Sequence, residues 1–135
     1  MKGTDAAYVA GLFEGEGSVG AYLSGRDRTP RLMVKVKMTD REPLELAQRL
    51  TGMGKLYGPY NYGDRGYNNL VKRPATTKSY WVWAVHPSEA AALFKAIHPW
   101  LSPRRIEQWE TALKVAPYNG PLPRGRRPWA TKKAA

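Results

Sequence analysis

The chain has 135 residues, which is enough for one compact domain and too few for two of ordinary size. It contains no cysteine, which excludes disulfides and cysteine-ligated zinc, and it has no apolar run near the ~20 residues that span a bilayer. Its 22 Lys and Arg against 11 Asp and Glu give a net charge of +11, which favours a polyanionic partner, nucleic acid before an anionic membrane surface.

The N-terminal part of the chain predicts a helix and then two strands. Residues 5–15 have helical spacing, with Thr4 as the N-cap and with Tyr8, Leu12 and Gly15 on one face. Residues 18–23 predict a strand, and a polar turn follows it. The next strand alternates between an apolar face and a mostly basic face. The apolar face has Leu32, Val34, Val36 and Met38, and the other has Arg31, Met33, Lys35, Lys37 and Thr39.

The middle of the chain predicts a second helix and a second pair of strands. Asp40 is the expected cap of a helix that runs to about residue 50. Residues 55–60 and 79–85 predict strands, the second of them rich in aromatic side chains. Between them, residues 61–78 predict a long loop rich in Gly, Asn and basic residues.

Two helices close the predicted domain. Residues 88–97 predict the first of them, and Ser102 caps the second, with Pro103 at its favoured first position. The apolar stripe of the last helix consists of Ile106, Trp109 and Leu113. This order of elements predicts a single α+β domain with one mostly antiparallel sheet and helices on one of its faces.

The uncovered face of this sheet has the dimensions of a DNA-binding surface. It carries Arg31, Lys35 and Lys37 on one strand. A strand of nine residues spans about 30 Å, which is close to one turn of B-DNA, and a two-stranded ribbon fits the major groove. The sheet is therefore predicted to form a saddle for double-stranded DNA.

One segment of the first helix resembles a known motif. The sequence VAGLFEGEGS, from Val9 to Ser18, is similar to the LAGLIDADG motif of homing endonucleases in its variant with a Gly-Glu-Gly ending. The resemblance extends over about residues 5–115, where the family has the order αββαββα, so we assign residues 1–115 to this domain. It implies a single-motif enzyme that hydrolyses both strands of near-palindromic DNA as a homodimer, in the mobility of an intron or intein.

The resemblance also implies a metal site and a dimer interface. Glu16 stands just before the last motif glycine, where the family binds a divalent cation, and the Gly17 carbonyl can add a second oxygen. The expected cofactor is Mg²⁺ or another divalent cation such as Mn²⁺, with no small-molecule cofactor. Small residues allow two motif helices to approach closely across a two-fold axis. The residues expected at this interface are Ala10, Gly11 and Gly15.

A second segment, residues 98–108, is similar to the place where these enzymes put a basic residue near the metal. Arg104 matches that position better than Arg105, although lysine is more usual there. Arg104 is therefore the second expected catalytic residue, and a contact to backbone phosphate is its alternative role. Glu14 lies two residues before Glu16 and is expected to cap a helix or to pair with a basic group.

Met38 departs from the family pattern. Many relatives have a polar residue at this point, which orders water near the metal, and a methionine cannot do so. Either Thr39 or Lys37 substitutes for it, or the water network differs, or cleavage is slow or lost. A DNA-binding protein of the same fold that does not cut, and an RNA-splicing maturase, are the alternative functions.

The candidate DNA contacts share a place on the predicted saddle or in the loops beside it. They are Arg26, Arg28, Arg31, Lys35, Lys37, Arg65, Lys72, Arg73, Ser79 and Trp81. An arginine that binds guanine through two hydrogen bonds discriminates by about 1–3 kcal/mol, whereas phosphate contacts only position the duplex. Trp81 and Trp83 share one strand face, which the sequence leaves open between the core and the groove.

Residues 116–135 form a basic tail with several prolines and no acidic residue. This composition predicts a flexible segment, and it can follow a phosphate backbone or only aid solubility. The N-terminus lacks the apolar segment of a signal peptide, so we expect an intracellular protein that is not secreted and has no membrane partner.

Overall fold

The structure is a computed structural model that describes residues 1–24, 29–61 and 79–118. These residues form four helices and four strands, and a short 3₁₀ turn at His98–Trp100 joins the last two helices. The elements are α1 (Gly3–Glu16), β1 (Gly17–Ser24), β2 (Thr29–Met38), α2 (Arg41–Thr51), β3 (Lys55–Tyr60), β4 (Tyr80–Val85), α3 (Pro87–Ile97) and α4 (Pro103–Val115). The predicted α+β class and element order are confirmed.

The four strands form one antiparallel sheet in the order β1-β2-β4-β3. Val34 of β2 pairs with Val19 on one side and with Val85 on the other, and Val36 pairs with Trp83. The predicted alternation in β2 is confirmed, because Leu32, Val34 and Val36 are buried under the helices. The intervening residues of every strand therefore lie on the opposite face.

The helical layer is built around α1. Its Ala6, Val9, Ala10 and Phe13 are all buried. The Phe13 ring lies 5.8 Å from that of Trp83 in the sheet and 5.3 Å from that of Trp109 in α4. Such aromatic pairs contribute about 0.5–1.5 kcal/mol each beyond the burial of their area. Phe13 thus joins the sheet, α1 and α4 into one core.

The expected start of α1 was wrong. The helix begins at Gly3, before Thr4, because the Asp5 carboxylate accepts a hydrogen bond from the Lys2 backbone N–H at 3.3 Å and so caps an earlier start. The face on which the sequence places Tyr8, Leu12 and Gly15 is turned outward, since Tyr8 is 38% exposed and Gly15 is exposed. The sheet instead takes the face with the bulky Phe13, and the glycine face is left outside.

The predicted ends of α2 and the start of α4 are confirmed. The Asp40 carboxylate accepts from the Glu42 N–H at 3.3 Å, and Gly52 ends α2 with a left-handed φ of 66°. The Ser102 hydroxyl accepts from the Arg105 N–H at 3.4 Å, with Pro103 in the first position. These polar residues fix where each helix meets the sheet.

α3 begins one residue earlier than expected, at Pro87. The cause is His86, whose Nδ1 accepts a hydrogen bond from the Ser88 N–H at 3.1 Å and so caps the helix before Pro87.

Across residues 1–24, 29–61 and 79–118, no helix is long and apolar enough to cross a bilayer. The division of the chain at residue 115 stays a prediction.

Two hydrogen bonds hold the link between α2 and β3 against β4 and α3. The Trp83 indole donates to the Met53 carbonyl at 3.0 Å, and the buried Glu89 carboxylate accepts from the Gly54 N–H at 3.2 Å. Gly54 has a φ of 77°, and a Cβ added there would overlap the Trp83 indole and lie 2.9 Å from the Ala84 carbonyl oxygen. Only glycine fits this approach without strain.

We expect Gly54→Ala to lower the free energy of unfolding by more than the ~1–2 kcal/mol that a left-handed backbone costs a residue with a side chain. The added overlap with Trp83 accounts for the excess. Thermal unfolding measures the effect, at roughly 4–8 °C for each kcal/mol in a domain of this size. Gly20→Ala is the control, because a Cβ at Gly20 meets no atom within 4 Å. Equal melting temperatures for the two variants would contradict this account.

Candidate active site

Glu16 is the last residue of α1 and stands directly before β1. Its side chain is exposed and lines a cleft at the end of β2. The register of the sheet explains the location, because Gly17 pairs with Val36 and so brings the end of α1 beside the end of β2. The other residues that line the cleft are Ser18, Lys37, Met38, Thr39 and Tyr80.

Lys37 supplies the positive charge in this cleft. It is the one lysine or arginine that lines the cleft within the part of the chain that the structure describes. Its Nζ lies 4.1 Å from the centre of the Tyr80 ring, the geometry of a cation–π contact. Both side chains belong to the sheet face away from the helices, since Lys37 pairs with Val82 and Tyr80 lies two residues from Val82 on β4.

Met38 lines the same cleft but also packs against the core. Thr39 follows it and is exposed. The two residues that the sequence offered as substitutes for the missing polar residue, Thr39 and Lys37, therefore both lie beside Glu16. Both carry a hydrogen-bonding group that Met38 lacks.

The sheet face away from the helices carries basic residues across its width. Lys35 pairs with Ser18 on one side and with Ala84 on the other, and Ala84 pairs in turn with Lys55 on β3. Arg31 lies farther along β2, opposite Tyr22. No acidic residue stands at the positions of this face that the structure describes.

Lys55 was missed in the sequence. Its strand is short and contains glycine and proline, so the alternation that marks β2 is weak in it. The signal was nevertheless present, because Leu56 beside it packs against the core and Lys55 must then point to the other face.

Trp81 does not lie with these cations. It packs partly buried against the core on the same strand face as the fully buried Trp83, and it lines a groove with residues of α2. The expectation that Trp81 contacts DNA is therefore corrected. The physical reason is that the helical layer covers this face, and a large aromatic side chain gains more from burial there than from exposure.

Five other candidate contacts lie outside the described residues, as do residues 119–135 of the tail. They are Arg26, Arg28, Arg65, Lys72 and Arg73. Ser79 is described, and its hydroxyl makes a hydrogen bond with the Asn61 side chain. That bond joins the two ends of the segment that contains Arg65, Lys72 and Arg73.

Glu14 caps α4, in agreement with the expectation for it. Its carboxylate accepts a hydrogen bond from the Ser102 backbone N–H at the start of that helix. This hydrogen bond is the main cause that lowers the pKa of Glu14 below its usual value, and the nearby charges of Arg105 and Arg104 lower the pKa further. Glu14 is therefore turned towards α4, whereas Glu16 lines the cleft at the end of β2.

Arg105, and not Arg104, contacts the end of the motif. Its guanidinium donates to the Gly17 carbonyl at 3.2 Å, to the Glu14 carbonyl at 3.0 Å and to the Gln108 side chain at 3.0 Å. Arg104 is exposed and lines a separate groove between α4 and β1. The structure thus does not bring Arg104 into the cleft beside Glu16.

The three residues expected at a dimer interface separate into two groups. Gly11 and Gly15 are exposed on the outer face of α1, and a Cβ at either would meet no atom within 4 Å. Ala10 is 0% exposed and packs in the core of its own chain, so its side chain cannot contact a second chain. The assignment of Ala10 to the interface is corrected, because the helix turns that residue towards the sheet.

The oxygen atoms at the end of α1 fit an open divalent-cation site. Among the residues of 1–24, 29–61 and 79–118, no three His, Asp or Glu side chains group as a complete site would need. Mg²⁺ usually keeps several waters and takes one or two carboxylates together with substrate phosphates. The exposed Glu16 carboxylate matches that partial ligand set, whereas the Gly17 carbonyl, the second expected ligand, accepts a hydrogen bond from Arg105.

Comparisons with known proteins agree with the fold. No family model matches the chain, and no curated protein matches it in sequence. A structure of the homing endonuclease I-CvuI in complex with its target, in the presence of 2 mM Ca, is 15% identical with a TM-score of 0.58. The match covers 83% of this chain and 65% of that one.

Two further solved structures match equally well. The archaeal intron-encoded homing endonuclease I-Vdi141I complexed with DNA is 17% identical with a TM-score of 0.59, over 82% of this chain and 65% of that one. I-CvuI with the I-CreI target and 2 mM Mg, in which the DNA is not cleaved, is 15% identical with a TM-score of 0.57, over 82% and 64%.

This chain spans about 65% of the length of the solved structures that it matches. The likeness at this level of identity concerns the fold alone. The chain has the fold of the LAGLIDADG homing endonucleases, the family whose motif its residues 9–18 resemble.

Proposed function

We propose that this protein is a site-specific endonuclease that binds double-stranded DNA on its basic sheet face and hydrolyses phosphodiester bonds with divalent metal held by Glu16. The observation that carries the proposal is the position of Glu16. Glu16 is exposed and lines the cleft at the end of the basic face, together with Lys37. A phosphate group that the face attracts would therefore lie beside a metal-binding carboxylate.

The basic face supports the choice of duplex DNA. β2 has 10 residues and so spans about 33 Å, close to one helical turn of B-DNA. Arg31, Lys35, Lys37 and Lys55 supply positive charge along and across it. Cations that contact DNA phosphates give an affinity for DNA that falls steeply as the salt concentration rises. Side chains in the groove add the base contacts that specify sequence.

Two copies of the chain would complete the catalytic centre. One chain has one Glu16, and cutting both strands needs a carboxylate for each. The exposed face with Gly11 and Gly15 lets two α1 helices approach closely in a symmetric, isologous pair. Two carboxylates about 6 Å apart then repel by roughly 3 kcal/mol at an effective dielectric of 20, which bound cations would offset.

The residues of the cleft have separate tasks in this proposal. Glu16 would hold Mg²⁺ or Mn²⁺, which would lower the pKa of a bound water and offset charge on the phosphate. Lys37 is placed to bind a phosphate oxygen and to oppose the charge that develops on it. The Thr39 hydroxyl is placed to orient a water molecule, which Met38 cannot do.

One observation favours a second function, a DNA-binding protein of the same fold that does not cut. Met38 lines the cleft where many relatives have a polar residue, so a water molecule there has one partner fewer. The two functions share the DNA-binding face and differ only in the chemistry at Glu16. A link to intron or intein mobility stays a prediction.

The first test is the cleavage of a randomised duplex library with Mg²⁺ by the wild type and by Glu16→Gln. We expect the variant to select the same sites and to cut them roughly 100-fold more slowly or not at all. Loss of a group that only orients a metal ligand already costs about 10- to 100-fold. Glu110→Gln, an exposed carboxylate on α4, is the matched control and should cut normally. Selection of sites without cutting by the wild type would favour the second function.

A second test separates the two candidate cations. We expect Lys37→Met to slow single-turnover cleavage by about 10²–10³-fold, the loss typical of a group that stabilises charge in the transition state. Arg104→Met should change the rate little and only weaken binding. Affinity is measured with Ca²⁺, the ion in one of the neighbouring DNA complexes. The reverse pattern would restore the catalytic assignment of Arg104 and refute that of Lys37.

A further inference from the structure

We infer that Arg105 is a positioning residue for Glu16: its guanidinium holds the turn between α1 and β1 by the two carbonyls on either side of the metal-binding carboxylate. The inference rests on the proposed function for its catalytic consequence. The contacts between α4 and the end of the motif do not depend on that function.

The two hydrogen bonds bracket Glu16 along the chain. One guanidinium nitrogen of Arg105 donates to the carbonyl of Glu14, two residues before Glu16, and the other donates to the carbonyl of Gly17, one residue after it. The same nitrogen that contacts Gly17 also donates to the Gln108 side chain one turn along α4. The guanidinium is thereby fixed on its own helix as well as on α1.

The end of α1 needs such a partner. The last carbonyl groups of a helix accept no hydrogen bond from within that helix. They also carry partial negative charge, which a nearby cation stabilises. The last turn of α1 contains no basic residue of its own. Arg105 supplies the missing cation from α4, which is distant in sequence but adjacent in the fold.

The turn that Arg105 holds is tight. Gly17 follows Glu16 directly, and a Cβ there would lie 2.7 Å from Phe13 Cα and 2.8 Å from the Phe13 carbonyl oxygen. The strand therefore leaves the helix at a close approach to the core residue Phe13. Glu16 is bonded directly to Gly17, so a shift of this turn would also move Glu16.

Glu14 makes the reciprocal contact. Its carboxylate caps the start of α4 at Ser102, three residues before the arginine that contacts the end of α1. Each helix thus supplies the side chain that satisfies the free end of the other. We call residues Glu14, Gly17, Ser102 and Arg105 the reciprocal cap.

These contacts define a positioning role and not a catalytic one. Both terminal nitrogens of Arg105 donate to protein oxygens, and Arg105 is not among the residues that line the cleft beside Glu16. A displacement of about 1 Å in a reacting group can cost about 100-fold in rate. Lysine cannot replace the arginine here, because a single ammonium lacks the fork that reaches two carbonyls at once.

The Glu14 half of the reciprocal cap predicts a loss of stability when its carboxylate is replaced. The carboxylate accepts the hydrogen bond from the Ser102 backbone N–H, and an uncharged amide oxygen is a weaker acceptor. Urea unfolding of Glu14→Gln at pH 7 should show a lower midpoint than that of wild type. Glu110→Gln, which changes an exposed carboxylate on α4, is the control and should leave the midpoint unchanged. Equal midpoints for Glu14→Gln and wild type would contradict this role of Glu14.

The decisive experiment compares Arg105→Lys and Arg105→Gln with wild type in two assays, well below the melting temperature of each variant. Amide hydrogen exchange at residues 16–18 reports the turn without any metal or DNA, and single-turnover cleavage with Mg²⁺ reports the chemistry. We expect faster exchange in both variants, a cleavage rate lower by about 100-fold, and DNA affinity in Ca²⁺ within a few-fold of wild type.

Arg49→Gln is the matched control, because it removes an exposed arginine from the last turn of α2. It should leave both exchange and cleavage unchanged. Wild-type exchange at residues 16–18 in the Arg105 variants would overturn the inference, and so would normal cleavage by a variant whose turn is loosened. If the wild type does not cut at all, the proposed function fails, and the exchange assay still decides whether Arg105 holds the turn.

Discussion

The packing of one face of α1 against the sheet is the constraint on which the rest of this structure depends. Phe13 joins Trp83 of β4 and Trp109 of α4, and Phe94 stacks on Trp109 from α3 at 5.4 Å. The helix contains several glycines, which disfavour it in isolation by up to about 1 kcal/mol each. The buried face offsets that cost and fixes the rotation of α1 about its axis.

This rotation decides what the remaining faces of α1 can do. With Phe13 inward, Gly11 and Gly15 are outward and leave an open, small-residue surface. The end of the helix reaches the end of β2, and Glu16 lines one cleft with Lys37 and Thr39 there. The reciprocal cap then ties this end to α4. One packing interaction therefore sets the proposed interface and the proposed catalytic cleft together.

Much of the fold was predictable because the signals are local. Asp40 and Ser102 cap helices by contacts within three residues, and the alternation of Leu32, Val34 and Val36 needs only the geometry of a strand. Trp81 and Arg104 could not be placed in the same way. Their surroundings come from α2 and β1, respectively, which lie far from them in sequence.

The sequence by itself determined the class of the domain, the order of its elements, the basic face of β2 and the position of Glu16 at the end of a motif helix. The tertiary structure alone decided that Lys37 lines one cleft with Glu16 and that Arg105 donates to the carbonyls of Glu14 and Gly17. The reason is physical: caps and alternation depend on neighbours along the chain. Which cation meets a carboxylate depends on sheet register and helix packing, and these are set by the whole core at once.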